Sequence, residues 1–300
     1  MPEPRSADAR MDDSLPRRRP EASLTAHAAG SLERRPVAVG PGRPVARSNQ
    51  IVGSTLDATE FPIQEAKVRR PPLRDATLRR DRLLDWLALK IHHRVVFVTA
   101  EAGYGKTTLL ADFSRRSRLR TLWYRLDEED RNWVSLLNYL VAAGRQVEPA
   151  FAPGTAAMLR ELGTGGPART AIVDTFVHEL GVFAAGGAVL ILDDYHLVDD
   201  VPDVKVVMRE IVTRAPERLT IVFLSRRWPS IPLARLRSLG EIVELGASEL
   251  RFDEQETEQL FRETFGTPLE PDVLADLAYR TQGWAASLQL VHAAIRDRST

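Results

Sequence analysis

The chain has 300 residues, 44% of them hydrophobic and 27% charged, which suits a folded α/β domain with a small appendage but not three full domains. Lys+Arg and Asp+Glu stand at 41 each, a balance that argues against a chain devoted mainly to nucleic acid or to a membrane surface. The absence of cysteine removes disulfides, thiolate catalysis, iron–sulfur clusters and cysteine-ligated zinc together.

Taken in chain order, the sequence opens with a stretch from Met1 to about Glu60 that holds no aromatic residue and recurs in Pro, Arg, Ala and Ser without period. Such a segment buries too little apolar surface to offset its ordering entropy, so a disordered tail is expected over residues 1–66. No signal peptide is readable. The longest apolar run, Leu180 to Leu192, is broken by Gly181, Gly186 and Gly187 and falls short of the roughly 20 residues of a spanning helix. A cytoplasmic chain without membrane segments is expected. Thr77 to His92 carries Leu83, Leu84, Leu87 and Ile91 at helical spacing. Arg94 to Thr99 is then a β-branched strand, Lys106 to Ser114 a helix, Thr121 to Arg125 a strand, and Asn132 to Val147 a helix. Glu148 to Pro167 reads as connector with a helical turn or two, and Ala168 to Ala184 as helix. Ala188 to Leu192 is the most hydrophobic strand. Val201 to Arg214 (helix), Leu219 to Leu224 (strand) and Glu241 to Leu245 (short strand) complete the alternation. Strands separated by helices give a parallel sheet covered on both faces. After Phe252 the pattern is purely helical, opened by a capping box of Asp253 and Glu256. The expected organisation is a nucleotide-binding domain over 67–248 and a helical lid over 249–300.

The residues with chemistry cluster at strand ends. Ala100-Glu-Ala-Gly-Tyr-Gly-Lys-Thr107 follows the first strand and precedes a helix. Glycines there let consecutive backbone N–H groups wrap a phosphate, a lysine reaches the outer phosphates, and a hydroxyl ligates Mg²⁺. The strict P-loop pattern wants glycine where Ala100 stands. The expected cradle comprises Ala102, Gly103, Tyr104, Gly105, Lys106, Thr107 and Thr108. Lys106 is one of only four lysines, with Lys67, Lys90 and Lys205. The strand Leu190-Ile-Leu ends in Asp193-Asp194, where one carboxylate serves the magnesium and its neighbour activates water. Asp193 is assigned to the metal with Thr107, and Asp194 to the water, although the two roles are interchangeable at this level. The fourth strand runs into Ser225-Arg226-Arg227, which points Arg226 at the terminal phosphate, with a surface salt bridge as the competing explanation. His196 is more simply a structural residue.

These motifs, in this order, resemble the large ATP-binding regulators of the LuxR family, signal-transduction ATPases with numerous domains (STAND class). The resemblance covers about Val68 to Ala294. The alanine at position 100 matches that family. Thr77-Leu-Arg-Arg80 is similar to its N-terminal nucleotide-contact stretch, which places Arg80 near the nucleotide, and Gln282-Gly283-Trp284 to the start of its Gly-Trp helix. The resemblance implies a P-loop NTPase of the AAA-like type with a five-stranded parallel sheet of order 5-1-4-3-2 and a helical lid. It further implies ATP, ADP and Mg²⁺ as ligands, a closed ADP form, an ATP form that self-associates, and slow hydrolysis that resets the switch. No DNA-binding element is expected within these residues, and the inducer stays open. A P-loop phosphotransferase and a nucleotide-responsive scaffold without turnover are the alternatives.

Overall fold

A computed structural model describes residues 61–74, 77–161 and 166–298. The predicted tail lies outside the described residues as far as Glu60. The first described residue, Phe61, is the first aromatic of the chain and packs edge-on against Tyr139 with ring centroids 5.8 Å apart. Helix α1 (Glu65–Val68) follows, and its Lys67 is buried between Asp130 at 2.7 Å and Asp127 at 2.9 Å.

The chain then alternates as its hydrophobic periodicity demands: α2 (Asp81–Lys90), β1 (Val95–Thr99), α3 (Lys106–Arg116), β2 (Arg120–Arg125) and α4 (Trp133–Arg145). Next come α5 (Pro153–Glu161), α6 (Gly166–Phe183), β3 (Ala188–Asp193), α7 (Pro202–Thr213) and β4 (Leu219–Ser225). A short α8 (Ala234–Ser238) leads to β5 (Ile242–Leu245), followed by α9 (Ala247–Leu250), α10 (Glu254–Gln259, wound on as a π-turn over Leu260–Thr264), α11 (Pro271–Thr281) and α12 (Ala285–Arg298). The five strands form one parallel sheet of order β2-β3-β4-β1-β5, which is the expected 5-1-4-3-2 taken from the other edge.

Alternate strand residues point to opposite faces and bury against different helices. Phe97, Leu190, Leu192, Ile221 and Phe223 meet α4, α6 and α7 on one side. Val96, Val98, Ile191, Val222 and Leu224 meet α2 and α3 on the other. A smaller third cluster of Leu260, Phe261, Leu277 and Leu288 holds α10 to α12 together.

One stretch departs from its expected form. Within the supposed connector, α5 is a helix of nine residues. Its first N–H groups are satisfied from far along the chain: Gly154 and Thr155 donate to the Glu179 carboxylate of α6 at 2.8 and 3.1 Å, and the Thr155 hydroxyl does so at 2.6 Å. A cap supplied across a tertiary contact leaves no local sequence signal.

Candidate functional site

Beyond the carboxyl ends of β1, β3 and β4 the fold leaves a crevice, the position where open parallel sheets bind ligands. The loop 100–105 occupies its centre. Gly103 has φ +82°, and a Cβ there would come within 2.7 Å of the Ala286 Cβ and 2.9 Å of the Trp284 indole nitrogen, so only glycine fits. Gly105 also has positive φ, +78°, and a Cβ there would meet nothing within 4 Å, so the space over the start of α3 is open to a ligand. The first turn of α3 carries no acidic side chain, which leaves its N–H groups and dipole available to an anion. Lys106 is buried, and its ammonium donates to the carbonyls of Ala100 at 2.6 Å and Glu101 at 3.0 Å. Burial holds its pKa below the ordinary lysine value.

Asp193 ends β3 at 1% exposure. The Thr107 hydroxyl lies 3.1 and 3.0 Å from its two oxygens, and the Asp194 N–H donates to Oδ1 at 3.1 Å. Burial, and then the neighbouring Asp194 charge, push the Asp193 pKa up to about 6. The donor set suits Mg²⁺: a hydroxyl beside a carboxylate is what a phosphate-bound magnesium takes from a protein. Among the described residues no three His, Asp or Glu side chains converge into a cage of the kind that holds a metal alone. Asp194 adopts a left-handed conformation, φ +60°, which aspartate tolerates better than most residues. This turn brings the Asp194 carboxylate to the crevice while Tyr195 returns to the core against Phe223. Arg125, the last residue of β2, donates from Nε to Asp194 Oδ2 at 3.2 Å.

Two cavities share this crevice. The smaller, about 310 Å³, is lined by Ala102, Gly103, Gly105, Lys106, Thr107, Arg125, Asp194 and Arg226. The larger, about 700 Å³, runs from Gly105 and Thr108 along Leu109 and Asp112 of α3, with Leu73, Thr77 and Leu78 on one wall and Phe252, Phe265, Ala285 and His292 on another. The two meet at Gly105.

Over 238 residues, 78% of its length, the chain is 31% identical to the HTH-type transcriptional regulator MalT of Klebsiella pneumoniae, both in subspecies pneumoniae (strain ATCC 700721 / MGH 78578) and in strain 342. Over these residues the chain is a homologue of MalT. It spans 26% of the length of those relatives. The fold is shared with a STAND protein with a tetratricopeptide repeat sensor from Pyrococcus horikoshii, with a TM-score of 0.50 and 16% identity over 74% of this chain and 31% of that one. No protein-family model matches.

Within this module the residues singled out by sequence are distributed unevenly. Ala102, Gly103, Gly105, Lys106, Thr107, Asp194 and Arg226 come together at the smaller cavity, with Asp193 buried behind Thr107. Thr108 faces the larger cavity, and Tyr104 faces neither, lying against Trp284 with ring centroids 6.5 Å apart. Arg80 also borders the larger cavity, but its guanidinium is spent on the C-terminal helical region: it donates to Glu256 at 3.2 and 2.7 Å and to the carbonyls of Leu250 at 2.8 Å and Arg251 at 2.7 Å, stacked over Phe252. Two residues went unnoticed as site residues in the sequence. Trp284 donates its indole N–H to the Ala102 carbonyl at 3.1 Å, and the Ala286 N–H bonds the Gly103 carbonyl at 3.1 Å, so the start of α12 is fastened to the phosphate loop. Arg125 carried one usable signal, a cation at the end of the strand that neighbours β3, opposite Asp193 in register.

Proposed function

We propose that this module binds ATP and ADP with Mg²⁺ and serves a transcription regulator as a slowly hydrolysing switch. The observation that supports it best is the pair of cavities joined at Gly105, one cationic and sized for phosphates, the other flanked by Leu109, Leu78 and Phe252 and sized for a nucleoside. Lys106 would exchange its two loop carbonyls for phosphate oxygens, and Arg226 would meet the outermost phosphate. Thr107 and, through water, Asp193 would hold the magnesium, which when bound neutralises phosphate charge. Asp194, with its carboxylate in the cavity, would take the proton from an attacking water. ATP contacts that ADP lacks then bias a two-state equilibrium, and the lid fastened to the loop through Trp284 is the element that responds. Nucleotide-dependent self-association and a cytoplasmic location complete the proposal. Among the described residues no helix is long and apolar enough to cross a membrane.

A scaffold without turnover is the second reading, favoured by one observation: the acid that would activate water is paired with Arg125. Calorimetric titration of the whole chain with ATP and with ADP, Mg²⁺ present, tests the site; binding that Lys106→Ala abolishes is expected. No binding by the unsubstituted chain overturns both readings. Phosphate release that Asp194→Asn stops, with binding retained, selects the switch over the scaffold.

A further inference from the structure

Arg125 stands apart from the other arginines of the crevice in how it is mounted. Its backbone is fixed: Tyr124 and Leu126 on either side are buried, β2 pairs with β3 throughout, and the Leu126 N–H bonds the Asp193 carbonyl at 2.8 Å. Its side chain is 63% exposed and lines the smaller cavity beside Lys106 and Arg226. Asp194 is engaged through Nε alone, and among the described residues no hydrogen bond engages either terminal nitrogen of the guanidinium. Arg80, by contrast, has all three nitrogens engaged and is buried. An exposed ion pair with a single contact contributes little and is readily exchanged. A terminal phosphate carries more charge than a carboxylate and accepts a guanidinium through two parallel bonds, so it outcompetes Asp194 for the same arginine.

We propose that Arg125 distinguishes a nucleoside triphosphate from a diphosphate in this pocket, by exchanging its ion pair with Asp194 for the terminal phosphate. The inference rests on the nucleotide-binding function proposed above. It makes Arg125 a positioning residue as well: the exchange frees the Asp194 carboxylate only when a third phosphate is present. A diphosphate leaves the pair intact and Asp194 occupied. The cation that rewards the triphosphate is thus the one that otherwise restrains the acid.

The test is calorimetric titration of the whole chain with ADP and with a non-hydrolysable ATP analogue, Mg²⁺ present, for the parent, Arg125→Gln and Arg125→Lys, each checked for an unchanged thermal melt. Arg125→Gln is expected to weaken the triphosphate analogue by about tenfold or more, the loss of a charged hydrogen-bonding partner, with ADP affinity held within about twofold. Arg125→Lys should restore part of the preference, because a point charge reaches phosphate without the fork. Asp194→Asn should tighten the analogue in the parent, and by a smaller factor when combined with Arg125→Gln, since the competition it relieves is then gone. Equal changes for both nucleotides in Arg125→Gln, or none, overturn the role of Arg125 while leaving the site standing, and strictly additive effects in the double variant overturn the exchange. If the unsubstituted chain binds neither nucleotide, the site itself is overturned, and the arginine's role with it.

Discussion

The two cavities that meet at Gly105 are built on different principles. The smaller one is assembled from strand ends: loop 100–105 after β1, Arg125 at the end of β2, Asp194 after β3 and Arg226 after β4 are held in place by the ladder of the parallel sheet. Its character is charge, with Lys106, Arg125 and Arg226 around Asp194 and a buried Asp193. The larger one is assembled from pieces remote in sequence, and nothing in a sheet fixes them. Two devices hold it closed: the Arg80 guanidinium gripping α9, Glu256 and Phe252, and the Trp284 and Ala286 bonds to the phosphate loop. A rigid charged end beside a clasped, apolar end lets a ligand be gripped at one and sensed at the other. Whatever loosens the clasp should move the C-terminal helices without destroying the sheet, and whatever empties the charged end should do the reverse.

The largest effect is expected from the clasp. Arg80→Met removes four hydrogen bonds and leaves the buried Glu256 carboxylate with only Arg82 and the Asp253 N–H. Breaking a buried pair from one side costs on the order of 3–5 kcal/mol. A thermal melt should show the loss, and limited proteolysis should begin to cut beyond Leu250 while the sheet stays resistant. A variant that melts with the parent and resists cleavage would show that the C-terminal helices are held by something else. Arg80→Met with Glu256→Leu should recover part of the stability, because the stranded charge is removed.

Next comes the charged end. Lys106→Ala should weaken ATP and ADP alike by about a hundredfold, or ~2.7 kcal/mol, with the melt of the unliganded protein unchanged or raised, since a buried ammonium is lost. A change confined to ATP would mean that Lys106 serves only the outermost phosphate, and the division of labour with Arg125 would need redrawing.

The same contrast governs what the sequence could reveal. The charged end was legible because its residues are local: a phosphate loop needs its glycines, lysine and hydroxyl consecutively, and the carboxylates need only a hydrophobic strand before them. The sheet order entered through the family resemblance and is the observed one. The clasped end was hidden, because Arg80 meets Glu256 at a separation of 176 residues and Trp284 meets Ala102 at 182. Asp253 and Glu256 were readable as a capping box, and that box is present. Nothing local announced that Glu256 also receives an arginine. Arg125 fell between the two cases, visible as a strand end but meaningful only once β2 was known to lie beside β3.

The last effect sharpens the comparison by asking what the charged end costs the unliganded fold. Asp193 has a folded pKa of about 6 against an ordinary 3.8, because it is buried next to Asp194. Between these values the folded protein keeps a proton that the unfolded chain has released, so stability falls as pH rises through that window and levels off above it. At about 1.4 kcal/mol per pH unit, the penalty at neutral pH is on the order of 3 kcal/mol. Asp193→Asn cannot ionise, and its amide oxygen still accepts from Thr107. The unliganded variant should therefore melt above the parent at pH 7.5, by roughly 8 °C for a domain of this size, with the difference vanishing near pH 4. A difference that is the same at pH 4 and pH 7.5, or a variant that melts lower at pH 7.5, would sink the idea. Confirmation would mean that the phosphate end is held together under mutual repulsion of Asp193 and Asp194, a repulsion that Arg125 relieves from one side and a bound cation beside Thr107 would relieve from the other.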